Sequence, residues 1–414
     1  MSRVVLGRVT AALVIVSALG VLHMAATGYL SRQEASSNRL VEVEQLRRRD
    51  YRRAVIFTAP VEQNAADWYR PVFANLNALP RDTVTKLQPQ TDRGSTIVPL
   101  SSRLAFADRC HEMDRTRIVE AFRSTRCDWR LGDRLDASTT LDYFPAAAIL
   151  TNCKLLEGDR RADQHDWQAA ARSYLEIAAF GSDLDQGMFG MNVAGLASTK
   201  LALEALGRLV GSIDDKDSLH TIRTEVAKLD GHLPTLRSGL RLIRIWVGNS
   251  LIDEAKAYVA THEAGLGRIL PWSIPAAWRF AQSASLLRLL DRAIEVGDPA
   301  ARRQIAHAID AHPARSPRMV VNAELPAQWD ELVGDASRLT RQLASVQLGI
   351  QLQEWYLGHG AYPDDLTPLQ WRDATNRMRY TRSPDGQGYT VFDEGSATPF
   401  LTRPTAMLRR SKAQ

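Results

Sequence analysis

Histidines beside acidic residues are the first places in this chain where chemistry could occur. His111 and Glu112 begin like the His-Glu-x-x-His motif of zinc proteases, but no second histidine follows four residues after the first. His307 and His312 lie five residues apart, a spacing that does not place two ligands on one helix face. The sequence therefore predicts no catalytic residue and no metal ligand, and it indicates no cofactor.

The remaining polar candidates have structural explanations. His262 lies on an apolar helical stripe, as a satisfied core histidine does, and Asp364 and Asp365 lack the further oxygen ligands of a calcium loop. These two aspartates are instead expected to cap a helical turn after Pro363. No nucleophile elbow, phosphate loop or dinucleotide turn is present. A non-enzyme is favoured, and an active site assembled from distant residues stays open.

The three cysteines, Cys110, Cys127 and Cys153, allow at most one disulfide within the chain. Cys110 and Cys127 are the more plausible pair because a helix-like stretch and a turn separate them. Cys153 lies in an apolar helical pattern, where a buried thiol is common. No Cys-x-x-Cys motif occurs, so a zinc site is not supported. The cysteines fit an oxidising or a reducing compartment equally.

Composition and charge are those of a folded protein. Hydrophobic residues make up 45% of the 414 residues and charged residues 24%, with a net charge of +5. No Lys/Arg stripe with interleaved aromatic residues appears, so nucleic acid is not an expected partner. The one basic cluster, Arg47–Arg49 with Arg52 and Arg53, fits contact with anionic lipid headgroups or a solvated helix face.

The element that positions the rest of the chain is the apolar run Val9–Leu30. It contains no charged residue, follows Arg3 and Arg8, and spans about 33 Å as a helix, which is enough for a bilayer core. It is predicted to be an uncleaved anchor whose partner is the lipid bilayer. A cleaved signal peptide ending near Ala26-Thr27-Gly28, or a buried helix, are the alternatives.

The orientation of this anchor depends on the basic residues at its ends. More arginines follow the run than precede it, which by counting alone favours a cytoplasmic domain. Long domains, however, cross the membrane largely regardless of their charge. We expect a single-pass protein of the bacterial inner membrane with its large domain in the periplasm.

The body of the chain shows helical periodicity, and strand-like alternation is absent from it. The helix Leu141–Leu156 is expected to end at the helix stop Gly158, and Pro80–Leu100 is expected to be a loop. The pattern predicts an irregular antiparallel helical array. The predicted helices are Arg39–Phe57, Ala65–Leu79, Leu141–Leu156, Asp166–Gly181, Gly187–Val210, Pro234–His262, Pro275–Val296 and Pro299–Ala311.

One pair of these helices resembles a tetratricopeptide hairpin. The segment Asp166-Trp167-Gln168-Ala169-Ala170 and the later Tyr174 match the aromatic and small residues that begin such a second helix, over about 40 residues. The linker Glu157–His165 is longer than the turn of that motif, and no regular period recurs downstream. The resemblance implies a degenerate helical-repeat domain, which is a shape and not an activity.

The C-terminal part follows a proline-rich boundary at His312–Pro326. A helix is predicted from Asp335, as its cap, to Leu357, with Gly358 as its stop. Alternating residues then predict strands Met378–Arg382 and Gly388–Asp393, joined by the turn Ser383-Pro384-Asp385-Gly386.

This end resembles the major pseudopilins of type II secretion and a similar ending in uncharacterised bacterial envelope proteins. Tyr356, Gly360, Tyr362 and Pro363 occupy the matching positions after the helix. In pseudopilins that helix continues from the membrane segment, whereas here the apolar run lies some 300 residues upstream and no prepilin signal is visible. The resemblance implies an accessory role in secretion and does not imply filament assembly.

Together these patterns predict a mainly α protein with an N-terminal transmembrane helix, a helical-repeat-like array and a small C-terminal helix with a β-hairpin. The expected function is that of a membrane-anchored interaction or scaffold protein with an unidentified protein partner. A tethered hydrolase, using residues such as His111, His165 or His262, and an accessory secretion subunit are the alternatives. The predicted domains are an anchor at 1–30, the array at 31–315, the C-terminal region at 316–402 and a basic tail at 403–414.

Overall fold

A computed structural model describes residues 3–79, 100–130, 144–187, 189–261, 285–294, 325–371, 378–393 and 399–403. Most of these residues are helical, which confirms the mainly α class. The helices are α1 (Arg3–Arg49), α2 (Ala65–Asn77), α3 (Leu100–Arg123), α4 (Phe144–Asp163), α5 (Trp167–Asp185), α6 (Phe189–Val210), α7 (Lys216–Ala227), α8 (Leu236–Thr261) and α9 (Leu325–His359). The strands are β1 (Val61–Asn64), β2 (Ser124–Arg126), β3 (Met378–Arg382), β4 (Tyr389–Asp393) and β5 (Pro399–Arg403).

The chain divides into two compact units. The first comprises Met1–Asp50, Arg130–Thr140 and Gly239–Glu331, and the second comprises Tyr51–Trp129, Leu141–Ser238 and Leu332–Gln414. Several predictions lie outside the described residues, among them the helix Pro299–Ala311, the boundary at His312–Pro326 and nearly all of the loop Pro80–Leu100. The predicted domain limits stay predictions.

The first unit contains α1, an uninterrupted helix of 47 residues. Beyond the apolar run, α1 buries one face, on which Ser37, Glu44 and Arg48 lie. This face approaches α8 closely, because a Cβ added at Gly248 would lie 2.7 Å from the Ser37 side-chain oxygen. The buried Arg244 of α8 donates a 2.7 Å hydrogen bond to Asp291 in the helical residues 285–294.

Among the residues described, no helix is both long and apolar enough to cross a membrane. Most side chains of Val9–Leu30 lie outside the description, so the anchor stays a prediction.

The helix predicted at Arg39–Phe57 is wrong beyond Arg49, because α1 ends there and residues 51–60 are not helical. The basic cluster is thereby divided. Arg47 and Arg48 both contact the buried Glu44 carboxylate, at 2.6 and 3.6 Å, so their charges are partly neutralised. Arg52 pairs at 3.0 Å with the exposed Glu62, and Arg53 turns into the core of the second unit.

The centre of the second unit is the antiparallel hairpin of α4 and α5. The helix stop predicted at Gly158 is wrong, because α4 continues to Asp163. The long linker predicted at Glu157–His165 is also wrong, because only three residues separate α4 from α5. Gly158 is needed for packing, since a Cβ there would collide with the Tyr174 ring. Asp166 begins α5 as its N-cap and accepts a hydrogen bond from the Ala169 amide.

Helices α5 and α6 pack most closely at a pair of glycines. A Cβ at Gly181 would lie 2.6 Å from the Gly195 carbonyl oxygen, and a Cβ at Gly195 would collide with the Gly181 carbonyl oxygen. Neither helix can carry a side chain at this crossing without moving. The small residues in the helix predicted at Gly187–Val210, observed as Phe189–Val210, thus permit a close backbone approach.

The prediction that the body of the chain contains no strands is wrong at one place. Strands β1 and β2 form a short parallel pair in which Val61 lies opposite Ser124 and Asn64 opposite Arg126. The Asn64 side chain caps α2 and also bonds the backbone of Asp128, at 2.9 and 2.7 Å. Four-residue and three-residue strands are too short to produce a recognisable alternation.

The C-terminal part confirms the predicted hairpin and adds one strand. Met378 pairs with Asp393 and Arg382 with Tyr389, while β5 extends the antiparallel sheet in the order β3-β4-β5. Helix α9 begins at Leu325, ten residues before the predicted cap. The sheet and the end of α9 share a core that contains Leu348, Leu352, Tyr362, Tyr389 and Val391.

Candidate functional site

The most chemically distinctive part of the described chain is a buried polar centre in the second unit, here named the Asp183 cluster. It consists of Arg53, Tyr69, Cys127, Trp129 and Asp183. Four segments supply these residues: Arg53 precedes β1, Tyr69 lies on α2, Cys127 and Trp129 follow β2, and Asp183 lies in the last turn of α5.

A buried ion pair forms the centre of the cluster. The Arg53 Nη2 atom lies 2.9 Å from Asp183 Oδ2, and the two side chains are 1% and 0% exposed. Tyr69 donates its hydroxyl proton to the same carboxylate oxygen at 2.9 Å, and Trp129 donates from its indole nitrogen to the Asp183 carbonyl oxygen at 2.7 Å. Asp183 therefore connects α5 to three other segments.

Arg53 also holds the backbone at the end of α3. Its Nη1 atom donates to the carbonyl oxygens of Ala121 and of Ser124, the latter at 3.3 Å. Its backbone amide donates to the Thr125 carbonyl oxygen at 3.0 Å. A guanidinium offers several donors in a fixed plane, so one arginine can satisfy carbonyl groups and a carboxylate together.

Aromatic rings enclose the ion pair. Tyr69 stacks on Trp129 with ring centroids 5.8 Å apart, and Phe180 lies 5.0 Å from Tyr69. Phe73 lies beside both rings, with its centroid 5.8 Å from that of Trp129 and 6.0 Å from that of Tyr69. Because all four rings are buried, the charges lie in a low-dielectric environment that strengthens their interaction and makes an unpaired charge costly.

Burial determines the protonation behaviour of the cluster. It raises the pKa of Asp183 to about 6, although Arg53 and the Tyr69 hydroxyl both act to lower it. Burial acts to lower the pKa of Arg53, but Asp183 and the nearby tyrosines outweigh it and the pKa is raised, so Arg53 stays charged. The two pKa shifts together indicate that the Arg53 guanidinium stays charged and that the Asp183 carboxyl is the group that titrates.

Cys127 contributes a thiol and not a disulfide. It is free and fully buried, so the pairing with Cys110 predicted as the more plausible is wrong. Burial, reinforced by Asp183, raises the pKa of Cys127 well above its ordinary value. A thiol that stays protonated is a poor nucleophile, so Cys127 acts as a small core residue. The side chain of Cys110 lies outside the described residues.

A second buried polar layer follows along the same helices. Lys154 of α4 pairs with Glu176 of α5 at 2.8 Å, and the hydroxyls of Thr151 and Ser198 lie 2.8 Å apart between α4 and α6. With Arg53 and Asp183, these contacts fix the registers of α4, α5 and α6. The arrangement is a structural one, because its charged side chains pair with each other and are enclosed. Two buried atoms of the central pair, Asp183 Oδ1 and Arg53 Nε, nevertheless have no hydrogen-bond partner among the described residues.

The histidines considered for catalysis do not enter this centre. His165 is exposed in the turn between α4 and α5, with its ring 4.9 Å from Trp167. The side chain of His111, and all of His262, His307 and His312, lie outside the described residues. Within the described chain, no three His, Cys, Asp or Glu side chains are grouped so as to hold a metal ion.

Asp364 and Asp365 have structural partners. Asp365 accepts a 2.8 Å hydrogen bond from the Thr367 amide, at the start of the 3-10 turn Thr367–Leu369, and Asp364 pairs with Arg382. Sequence reasoning missed the Asp183 cluster, because Arg53 and Asp183 are 130 positions apart in the chain. One signal was available: Asp183 follows the apolar residues Ala178, Ala179 and Phe180 on α5, and a buried carboxylate requires a partner.

The titration of Asp183 predicts a pH-dependent contribution to stability. The folded chain holds the Asp183 proton more tightly than the unfolded chain, where the pKa is near 3.8. The stabilising contribution of this proton is therefore complete below about pH 4 and is lost as the pH rises to about 6, by on the order of 1–3 kcal/mol. Unfolding of the wild type and of Asp183→Asn across pH 4–7.5 measures it. Their difference in unfolding free energy should decline over this window and then stay level, whereas a constant difference would contradict the assignment.

Comparisons with known proteins add no relationship: no protein-family profile, curated protein or solved structure matches the chain.

Proposed function

We propose that this chain is a membrane-tethered helical protein of the bacterial cell envelope, which presents a locked helical body for interaction with other proteins. In this proposal Val9–Leu30 crosses the inner membrane once, and the body lies in the periplasm. The anchor holds the protein at the membrane, and the helices of the body form the surface that contacts other proteins. The buried polar layers keep this surface in one conformation.

The observation that carries this proposal is the continuity of α1. A single helix runs from Arg3 to Arg49, so the apolar run and the polar segment after it belong to one element. The 19 residues that follow Leu30 extend the helix by about 29 Å. Along this extension Ser37, Glu44 and Arg48 are buried against protein. An apolar half followed by a packed polar half is the arrangement expected of a membrane helix that continues into a soluble body.

The form of the second unit supports an interaction role. Helices α4, α5 and α6 are fixed by the Arg53–Asp183 pair, the Lys154–Glu176 pair and the close contact of Gly181 with Gly195. A body with internal contacts fixed in this way exposes its surface without reorganisation on binding, which limits the entropic cost of association.

A charge in the centre of the apolar run tests the anchor. Val16→Arg should move most of the protein from the membrane pellet to the soluble fraction, because an arginine at the centre of a membrane helix costs about 2.5–3.5 kcal/mol. Ser31→Arg, just beyond the run, is the matched control and should stay in the membrane after a high-salt wash. The proposal fails if wild-type protein is soluble, or if both variants behave alike. A periplasmic reporter fused to the C-terminus measures the orientation.

A further inference from the structure

A polar cluster lies on α1 where the apolar run ends. The Gln33 side chain is hydrogen-bonded to the Tyr29 hydroxyl and accepts a 3.2 Å hydrogen bond from the buried Arg244 of α8. Arg244 also pairs at 2.7 Å with Asp291, and Arg288 lies close enough to act electrostatically on the Tyr29 hydroxyl. All of these residues belong to the first unit, so the cluster lies within one compact body.

This cluster fixes the level of charged residues that are far from the apolar run in the sequence. The Arg244 and Asp291 side chains lie beside the turn of α1 that follows Leu30. Lys256 of α8 pairs at 2.6 Å with Glu34, which lies four residues beyond Leu30, about 6 Å along the helix. In the proposed arrangement this is the headgroup layer, which is about 5–8 Å thick on each side of the hydrocarbon core.

Two cations at this level have no acidic partner. Arg244 and Lys256 are neutralised by the carboxylates that they contact. Arg32 and Arg288 are exposed, and neither forms an ion pair within the described part of the chain. Both are neighbours of Tyr29, since Arg32 follows it by three residues on the same helix and Arg288 acts on its hydroxyl. The end of the run therefore carries positive charge that the described residues leave unpaired.

We infer that Arg32 and Arg288 form a binding site for the phosphate of an anionic lipid headgroup at the end of the apolar run. Arginine holds phosphate through charge-assisted hydrogen bonds, and basic clusters beside membrane helices take anionic headgroups. Tyrosine is common at this depth, where its ring meets acyl chains and its hydroxyl meets headgroups. The inference rests on the proposed function, because a membrane-crossing Val9–Leu30 is what brings headgroups to the level of Tyr29.

Lipid retention by the purified full chain tests the site. The chain is titrated in a nonionic detergent with phosphatidylglycerol or with phosphatidylcholine, and native mass spectrometry counts the lipids retained. Wild type should prefer the anionic lipid. Arg32→Gln and Arg288→Gln should each weaken phosphatidylglycerol binding about fivefold, which is the contribution of one basic side chain near a charged membrane surface. The matched control, Arg49→Gln, removes an exposed charge about 26 Å beyond Arg32 on α1 and should leave this affinity unchanged.

The inference is overturned by equal retention of the two lipids, or by an Arg49→Gln loss as large as that of Arg288→Gln. Displacement of the lipid by inorganic phosphate at the same concentration also overturns it, because the site would then hold a free anion.

Fractionation of the same cells separates the two proposals. The double variant Arg32→Gln/Arg288→Gln should stay in the membrane pellet, because its apolar run is intact, while its preference for phosphatidylglycerol is lost. Wild-type protein in the pellet without any lipid preference overturns the site and leaves the anchor standing. Wild-type protein in the soluble fraction refutes the anchor, and a preference for the anionic lipid in detergent then still supports the arginine site.

Discussion

Replacing Arg53 with methionine is expected to destabilise the folded chain by about 3–5 kcal/mol, the cost of leaving a buried carboxylate without its partner. The reason is the complete burial of the pair: Asp183 is 0% exposed, and after the substitution only Tyr69 donates to the carboxylate that Arg53 contacted. A loss of this size is a large part of the 5–15 kcal/mol that typically separates folded from unfolded states.

The pH dependence of this variant distinguishes a charge effect from a packing effect. Arg53 acts to lower the pKa of Asp183, so its removal raises that pKa further. The carboxyl can then be neutralised by protonation, and Arg53→Met should be less destabilised at pH 5 than at pH 7.5. A loss that is independent of pH would point to packing alone. Denaturant unfolding followed by circular dichroism measures both conditions, and hydrogen exchange of peptides from α2 and α5 locates the change.

Two further variants complete the experiment. Combining Arg53→Met with Asp183→Leu removes both charges and should recover roughly half of the loss, because hydrophobic residues often replace a buried ion pair without great cost. Arg52→Met is the matched control, since Arg52 and Glu62 are 68% and 74% exposed, and it should cost less than about 1 kcal/mol. If Arg52→Met were as harmful as Arg53→Met, the central role of the Asp183 cluster would be refuted.

Adding one methyl group at the contact of α5 and α6 is the second change expected to have a large effect. Gly195→Ala should cost about 1–3 kcal/mol through overpacking, and Gly181→Ala should cost at least as much. In both cases the new Cβ meets a backbone carbonyl oxygen of the facing helix, and a backbone atom cannot move aside as a flexible side chain can. Thermal unfolding of the full chain, followed by circular dichroism, gives the size of the loss.

Gly358 near the end of α9 is the matched control for these substitutions. A Cβ there would meet only the Lys216 side-chain nitrogen, at 3.8 Å. Gly358→Ala should be neutral or should stabilise the chain by about 0.5–1 kcal/mol, because alanine loses less backbone freedom than glycine on entering a helix. Equal melting temperatures for Gly195→Ala and Gly358→Ala would show that the helices can separate at this point, contrary to the close packing described.

The sequence predicted the type of most elements, because apolar periodicity in long segments depends on local pattern alone. Helices α2, α5, α6 and α8, and the hairpin of β3 and β4, lie within a few residues of their predicted limits. The turn Ser383-Pro384-Asp385-Gly386 was recognisable because Gly386 has a positive φ of 68°, which favours glycine. Such features depend on neighbours along the chain.

The errors share one physical cause, which is contact between residues distant in sequence. Gly158 was interpreted as a helix stop, although its role follows from the position of Tyr174 on the facing helix. The Asp183 cluster was not predicted, because its arginine comes from a segment that was expected to be helical. The role of Arg53 becomes apparent only in the folded chain, where the Asp183 carboxylate lies beside it. Pattern alone cannot distinguish such a residue from a solvated one.

The contact of Ser37 with Gly248 has a mechanical consequence. Helix α1 has no break between Val9 and Arg49, so its apolar half and its polar half tilt together. At Ser37 the two helices are in close contact, because α8 has a glycine there and a Cβ at Gly248 would lie 2.7 Å from the Ser37 side-chain oxygen. Any movement of α1 at this level therefore moves the Ser37 side chain directly against the backbone of α8 at Gly248.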